Sequence, residues 1–124
     1  MPHLSGKVEA SFCGSRVICF WEMKLAFVYS TFPNRTSARR AALHLLRKKL
    51  IACANIHKTE SSYAWKGKVV NEAEYVLVAK TTSGKFAKVK REIERIHPYE
   101  IPCIVRIPAD GNEKYLRWAR RMVS

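Results

Sequence analysis

The sequence predicts one α+β domain, with strands and helices in the order βαββαβ and a closing helix at the carboxyl end. Three observations predict it: an apolar strand followed by an amphipathic helix, two long β-type segments around one tight turn, and a second amphipathic helix that ends at a proline. The length of 124 residues is that of a single domain with one core.

The first strand and helix follow directly after residue 23. Leu25 to Tyr29 form a near-continuous apolar run, typical of a central strand buried on both faces. Thr36 and Ser37 are residue types that cap helices. Apolar residues then recur at helical spacing, at positions Ala38, Ala41, Ala42, Leu45 and Leu46. The pattern predicts a helix with one apolar stripe and a basic opposite side.

Two β-type segments, Cys53 to Trp65 and Lys68 to Thr81, flank the pair Lys66-Gly67 and predict an antiparallel hairpin. Both strands are longer than the usual 5 to 6 residues. One pair of helices cannot cover so long a hairpin in a domain of this size, and uncovered strand edges associate. We therefore expect closed oligomerisation.

A second helix is predicted from about Gly84 to His97, ending at Pro98, and a last strand from Ile101 to Ile107. Gly111 and Asn112 precede the closing helix. Right-handed crossovers place the first two helices on one face of a four-stranded antiparallel sheet. This is the split-βαβ, or ferredoxin-like, arrangement.

Residues 1–22 are predicted to be an N-terminal extension and residues 23–124 the domain itself. Within the extension, two alternating runs around Gly14-Ser15 favour a hairpin. A second interpretation treats the extension as a segment of little consequence. Neither interpretation changes the domain.

The chain carries 23 Lys and Arg against 10 Asp and Glu, a formal net charge of +13. This excess leaves a polyanion partner such as nucleic acid open without identifying one. No apolar run approaches the roughly 18 residues of a membrane-spanning helix, and no secretory signal is recognisable. We expect a cytoplasmic protein without a membrane partner. The four cysteines form no CxxC pair, so buried free thiols are favoured, and a disulfide stays open.

Five phrases resemble the CutA proteins of divalent-cation tolerance in order and spacing. They are Ala52–Ile56, Ser62–Lys68, Lys80–Thr82, His97–Pro102 and Tyr115–Trp118. The resemblance covers Lys24 to about Val123. It implies a tight homotrimer with long hairpins packed between subunits, a link to tolerance of copper and other divalent metals, and a shape similar to PII trimers, which bind small ligands between subunits.

His97 and Cys53 are the candidate metal ligands, because imidazole and thiolate both suit copper. Ser30 and Ile96 stand where some relatives carry a cysteine and a second histidine, so His97 is the histidine that remains. His97 also follows the second helix, where a cationic ring favours the helix dipole. No cofactor is required by any motif, and copper or another divalent metal is the expected ligand.

A ligand cleft is predicted from aromatic and charged residues of the shared phrases: Tyr63, Trp65, Lys80, Tyr99 and Glu100. Aromatic rings with one polar group can form an apolar wall, or can anchor a neighbouring subunit. A lysine near the end of a buried strand needs an anion, either Glu100 or a small anionic ligand.

The sequence contains no phosphate loop, GxSxG, HExxH or evident carboxylate pair, which argues against an enzyme. The alternative function is a nucleic-acid-binding module of the RRM type, which also has a βαββαβ sheet. Its aromatic phrase is missing, because Gly67 is followed by Lys68-Val69-Val70.

Overall fold

The structure is a computed structural model that describes residues 24–124, and their strands form one antiparallel sheet in the order β2-β3-β1-β4. The strands are β1 (Leu25–Phe32), β2 (Cys53–Trp65), β3 (Lys68–Thr82) and β4 (Ile104–Ala109), and the helices are α1 (Arg35–Arg47), α2 (Phe86–Ile96) and α3 (Glu113–Met122). This order confirms the predicted ferredoxin-like fold. The hairpin predicted around Gly14-Ser15 lies outside the described residues.

Both α1 and α2 pack on one face of the sheet. Alternate residues of each strand point to that face, as in a half-buried sheet. The core includes Val28, Phe32, Ala41, Leu45, Leu77, Val89 and Ile93, all 1% exposed or less. Between the helices, the Glu92 carboxylate contacts His44 Nε2 at 2.6 Å and Arg95 Nη2 at 2.8 Å.

The opposite face, which we call the open face, is only partly covered. α3 packs on one end of it, where Leu25, Ala52 and Ala119 form a second small core. Beyond α3, Val105 and Ile107 of β4 are 48% and 44% exposed. The open face is therefore apolar over part of its area, and no helix of residues 24–124 covers that part.

The long hairpin extends beyond the rest of the sheet. β1 pairs with β3 from Thr82 as far as Tyr75, so residues 68–74 of β3 pair with β2 alone. At the tip, Lys66 and Gly67 have φ of 50° and 78°, the left-handed pair of a type I′ turn, whose twist matches that of the strands. We call residues 59–74 the projecting hairpin.

Two predicted boundaries are wrong. Asn34, rather than Thr36 or Ser37, caps α1, because its side chain accepts a hydrogen bond from the Ser37 N–H at 2.8 Å. The last strand begins at Ile104 rather than Ile101, since Ile104 is the first residue that pairs with β1. In residues 24–124 no helix is both long and apolar enough to span a membrane.

Candidate functional site

A cavity of about 390 Å³ opens on the open face, where β1 ends and the projecting hairpin begins. Its walls come from the last residues of β1 and β2, from the middle of β3 and from the loop between α2 and β4. The lining residues are Thr31, Tyr63, Trp65, Glu74, Tyr99, Glu100, Ile101 and Cys103. We call it the hairpin cavity.

Glu74 is the buried polar residue of the hairpin cavity. Strand alternation turns it to the open face, where it lines the cavity together with Thr31. Its side chain is only 6% exposed there. The Tyr99 phenol donates a hydrogen bond to Glu74 Oε2 at 2.6 Å. Within residues 24–124, no lysine, arginine or histidine forms a salt bridge with Glu74. The buried carboxylate is therefore satisfied by a neutral donor alone.

The carboxylates influence the neighbouring acidic groups. Burial and the hydrogen bond to Glu74 raise the pKa of the Tyr99 phenol. Burial, with a smaller contribution from the charge of Glu74, raises the pKa of the Cys103 thiol. The hydrogen bond from Tyr63 to Glu72, at 2.5 Å, raises the pKa of the Tyr63 phenol. These three groups stay protonated at neutral pH, so they add no negative charge to the cavity.

His97 lies behind the cavity wall and uses both ring nitrogens. The Tyr99 N–H donates to Nδ1 at 3.1 Å, so Nδ1 is unprotonated and Nε2 donates to the Thr31 carbonyl at 2.8 Å. The ring stacks on Phe32 with centroids 4.3 Å apart. Burial lowers the pKa of His97, which keeps the imidazole neutral. The ring thus connects the loop after α2 to the end of β1.

Cys53 lies at the other end of the sheet, so the two predicted metal ligands are not brought together within one chain. Cys53 pairs with Lys80, which pairs with Phe27, four residues before Thr31 on β1. Four strand residues span roughly 13 Å, too far for one ion. In residues 24–124, no three His, Cys, Asp or Glu side chains form a metal-binding group.

The structure brings together four of the five predicted cleft residues, Tyr63, Trp65, Tyr99 and Glu100, and leaves out Lys80. The Lys80 ammonium lies 5.7 Å from the Phe27 ring centroid and 5.9 Å from that of Tyr115, near α3. Within residues 24–124 no salt bridge joins Lys80 to Glu100, and the pairing of Lys80 with Glu100 or with a small anionic ligand stays a prediction. Both rings lie within cation–π distance of the Lys80 ammonium.

Sequence reasoning missed Thr31, Glu74, Ile101 and Cys103. One signal was available for Glu74: it shares a strand face with Val76 and Val78, and a carboxylate in line with apolar residues indicates a buried position. The sequence predicts Ile101 and Cys103 to be strand residues, but they lie in the loop between α2 and β4.

Basic side chains concentrate on the helix side of the domain. Arg39, Arg40 and Arg47 line a shallow groove on α1, and Lys88 and Arg91 line another beside α2. An RRM-type module instead binds RNA on its sheet. The nucleic-acid alternative stays a prediction.

The sheet order, the helix layer and the cavity at the base of a long hairpin define a ferredoxin-like domain with a candidate ligand site on its open face. Residues 26–122 match the family model described as CutA1 divalent ion tolerance protein. The chain belongs to this family, which confirms the resemblance seen in its phrases.

Individual relatives support the same family assignment. The chain is 39% identical over 95 residues to the divalent-cation tolerance protein CutA of Pyrococcus horikoshii, covering 76% of this chain and 93% of the relative. It is 42% identical over 93 residues to the CutA of Archaeoglobus fulgidus, covering 74% and 91%. The solved structure of the periplasmic divalent cation tolerance protein CutA from Archaeoglobus fulgidus has a TM-score of 0.79 at 40% identity, covering 81% of this chain and 99% of that one.

Proposed function

We propose that the protein is a non-enzymatic homotrimer that takes part in cytoplasmic tolerance of divalent metal ions, copper among them, and that its hairpin cavity lies at a subunit boundary. Family membership supports the role in tolerance. The projecting hairpin is the main observation that supports a trimer.

Within the part of the chain that the structure describes, residues 68–74 of the projecting hairpin pair with no strand other than β2. An isolated two-stranded hairpin is marginally stable in water. Its apolar side chains are also unprotected: Val69 is 75% exposed, and Trp65 is 41% exposed. A second copy of the chain, laid against the hairpin and the open face, would cover them.

The open face also favours contact with a second copy of the chain. Val105 and Ile107 are exposed on the open face, and among the strands of residues 24–124 the edge strands β2 and β4 have no neighbour on their outer sides. Three copies arranged as a closed ring pair every such edge with the same contact, whereas an open arrangement leaves ends free.

Size-exclusion chromatography with light scattering tests the trimer. We expect a mass three times the 14.3 kDa of one chain at micromolar concentration. Val105→Asp with Ile107→Asp should reduce the mass to that of one chain, because two carboxylates would be buried without partners. Leu43→Asp is the matched control: Leu43 is 41% exposed on α1, in the helix layer, and its replacement should leave the trimer intact. A wild-type protein at the mass of one chain would refute the trimer.

The cavity supports a binding role rather than catalysis. Among residues 24–124, Cys103 is the thiol that lines the cavity, and burial raises its pKa, whereas catalytic cysteines have a lowered pKa. Glu74 is already bound to Tyr99.

Copper binding at His97 or Cys53 has a direct test. Copper binds to an imidazole nitrogen that carries no proton. Both nitrogens of His97 have backbone partners, so copper would have to displace the partner of the nitrogen that it binds. Calorimetric titration of Cu²⁺ should show weaker binding in His97→Ala and in Cys53→Ala than in the wild type. Heats that are unchanged in both variants would remove both residues from the site.

A further inference from the structure

The hairpin cavity has a charge opposite to that of the protein. The chain carries a net charge of +13, yet among residues 24–124 the lining of the cavity has two carboxylates and no basic side chain. One carboxylate, Glu74, is more than nine-tenths buried with a neutral phenol as its hydrogen-bond donor. Buried charges in proteins are normally paired, so this arrangement points to a cation that enters the cavity.

The remaining walls narrow the kind of cation. Tyr63, Trp65 and Tyr99 present three aromatic rings beside the carboxylates. Ring faces attract ammonium and guanidinium groups, most strongly where water is excluded. A divalent metal ion prefers several oxygen, nitrogen or sulfur ligands, and residues 24–124 contain no three-residue metal group. A small anion would face two carboxylates without a basic partner.

We propose that the hairpin cavity binds a small organic cation with a primary ammonium or guanidinium head group, which donates hydrogen bonds to Glu74 and lies against the rings of Tyr63 and Tyr99. The cavity volume of about 390 Å³ falls in the range of small-molecule sites and suits a short alkyl amine. The inference rests on the ligand-binding part of the proposed function. The residues named as contacts of the cation all belong to one chain, and a neighbouring copy in the trimer would add a further wall to the cavity.

Calorimetric titration with two matched probes tests the inference. Butane-1,4-diamine is the cation, and butane-1,4-diol is its neutral counterpart of the same length. Both are titrated at constant ionic strength and pH 7, because the positive net charge makes cation binding sensitive to salt. We expect saturable heats with the diamine and none with the diol.

Variants locate the site. Glu74→Gln keeps the size of the side chain and removes its charge, and we expect at least about ten-fold weaker diamine binding, as for loss of a charge-assisted hydrogen bond. Glu60→Gln is the matched control: Glu60 is an exposed glutamate of the same hairpin that does not line the cavity, and its replacement should leave the affinity unchanged. Tyr63→Leu should weaken binding more than Tyr63→Phe, which retains an aromatic ring.

Light scattering on the same samples separates this inference from the trimer. A wild-type trimer that binds the diamine no better than the diol would overturn the inference, and would indicate that the neighbouring copy fills the cavity. Equal diamine affinity in the wild type and in Glu74→Gln would also overturn it. Diamine binding by a protein of one-chain mass would support the inference while refuting the trimer.

Discussion

The His97 imidazole donates a hydrogen bond from Nε2 to the carbonyl oxygen of Thr31 at 2.8 Å, while its Nδ1 accepts one from the backbone of Tyr99. One ring thus joins the loop after α2 to the end of β1. The two residues it contacts, Thr31 and Tyr99, both line the hairpin cavity. The position of the cavity wall therefore depends on a residue that does not itself line it.

Two replacements of His97 should separate the contribution of its ring packing to stability from that of its hydrogen bonds. His97→Ala removes the stacking on Phe32 and both hydrogen bonds, and we expect a loss of about 2–4 kcal/mol in the free energy of unfolding. His97→Phe keeps a ring against Phe32 and should lose about 1–2 kcal/mol, through the unpaired carbonyl and N–H. Urea unfolding measures both, and equal stability of His97→Ala and the wild type would contradict a structural role.

The lowered pKa of Glu92 predicts how the free energy of unfolding depends on pH. Hydrogen bonds from Arg95 and His44 lower the pKa of Glu92 to about 2. A carboxylate with a lowered folded-state pKa contributes stability above its unfolded-state pKa, near 4.5, and loses it as the pH falls towards 2. The stability difference between the wild type and Glu92→Gln should therefore shrink from pH 6 to pH 2.

The control for Glu92 is Glu94→Gln, an exposed glutamate two residues further along α2. Denaturant unfolding at several pH values measures all three proteins. If the difference for Glu92→Gln stayed constant from pH 6 to pH 2, the ion pairs of Glu92 would have no measurable effect on stability.

Lys49 occupies a backbone conformation that suits glycine. Its φ is 58°, and it follows α1 in a Schellman arrangement, in which the N–H of Lys49 donates to Leu46 and that of Leu50 donates to Leu45. Lys49→Gly should therefore raise the free energy of unfolding by about 0.5 kcal/mol, because glycine adopts this conformation without steric cost. Lys48→Gly, at φ −83°, is the control and should lower stability by about 0.5–1 kcal/mol. A loss of stability in Lys49→Gly would contradict the explanation.

The hairpin could be predicted almost to the residue because its turn is local. Lys66-Gly67 determines where the chain reverses, and pairing then follows from Trp65 opposite Lys68 back to Cys53 opposite Lys80. The start of β4 could not be predicted in this way. Ile101 and Cys103 are apolar because they line a cavity, and sequence periodicity does not distinguish such a loop from a strand.

The site was only partly predictable for a related reason. Tyr99 and Glu100 follow the second helix within a recognisable phrase, so their association could be inferred from sequence. Glu74 and Lys80 lie on the same face of one strand, but six residues apart, or roughly 20 Å. Sequence alone does not show which end of that strand the loop after α2 reaches, and the structure places the loop at Glu74.

Two buried hydroxyl groups on the helix side of the sheet should respond to mutation in opposite directions. Ser30 is fully buried, and its Oγ has no hydrogen-bond partner among residues 24–124. Thr81, equally buried, donates from Oγ1 to the Leu50 carbonyl at 2.7 Å. Ser30→Ala should raise the free energy of unfolding by about 1 kcal/mol, because an unpaired polar group leaves the core.

Thr81→Val is the matched control, because valine has nearly the shape of threonine and cannot donate to Leu50. It should lower the free energy of unfolding by about 1–3 kcal/mol, the cost of leaving a buried carbonyl without its donor. Thermal and urea unfolding of both variants measure the contrast. A destabilised Ser30→Ala would mean that the hydroxyl of Ser30 has a hydrogen-bond partner in the folded protein, and would contradict the explanation.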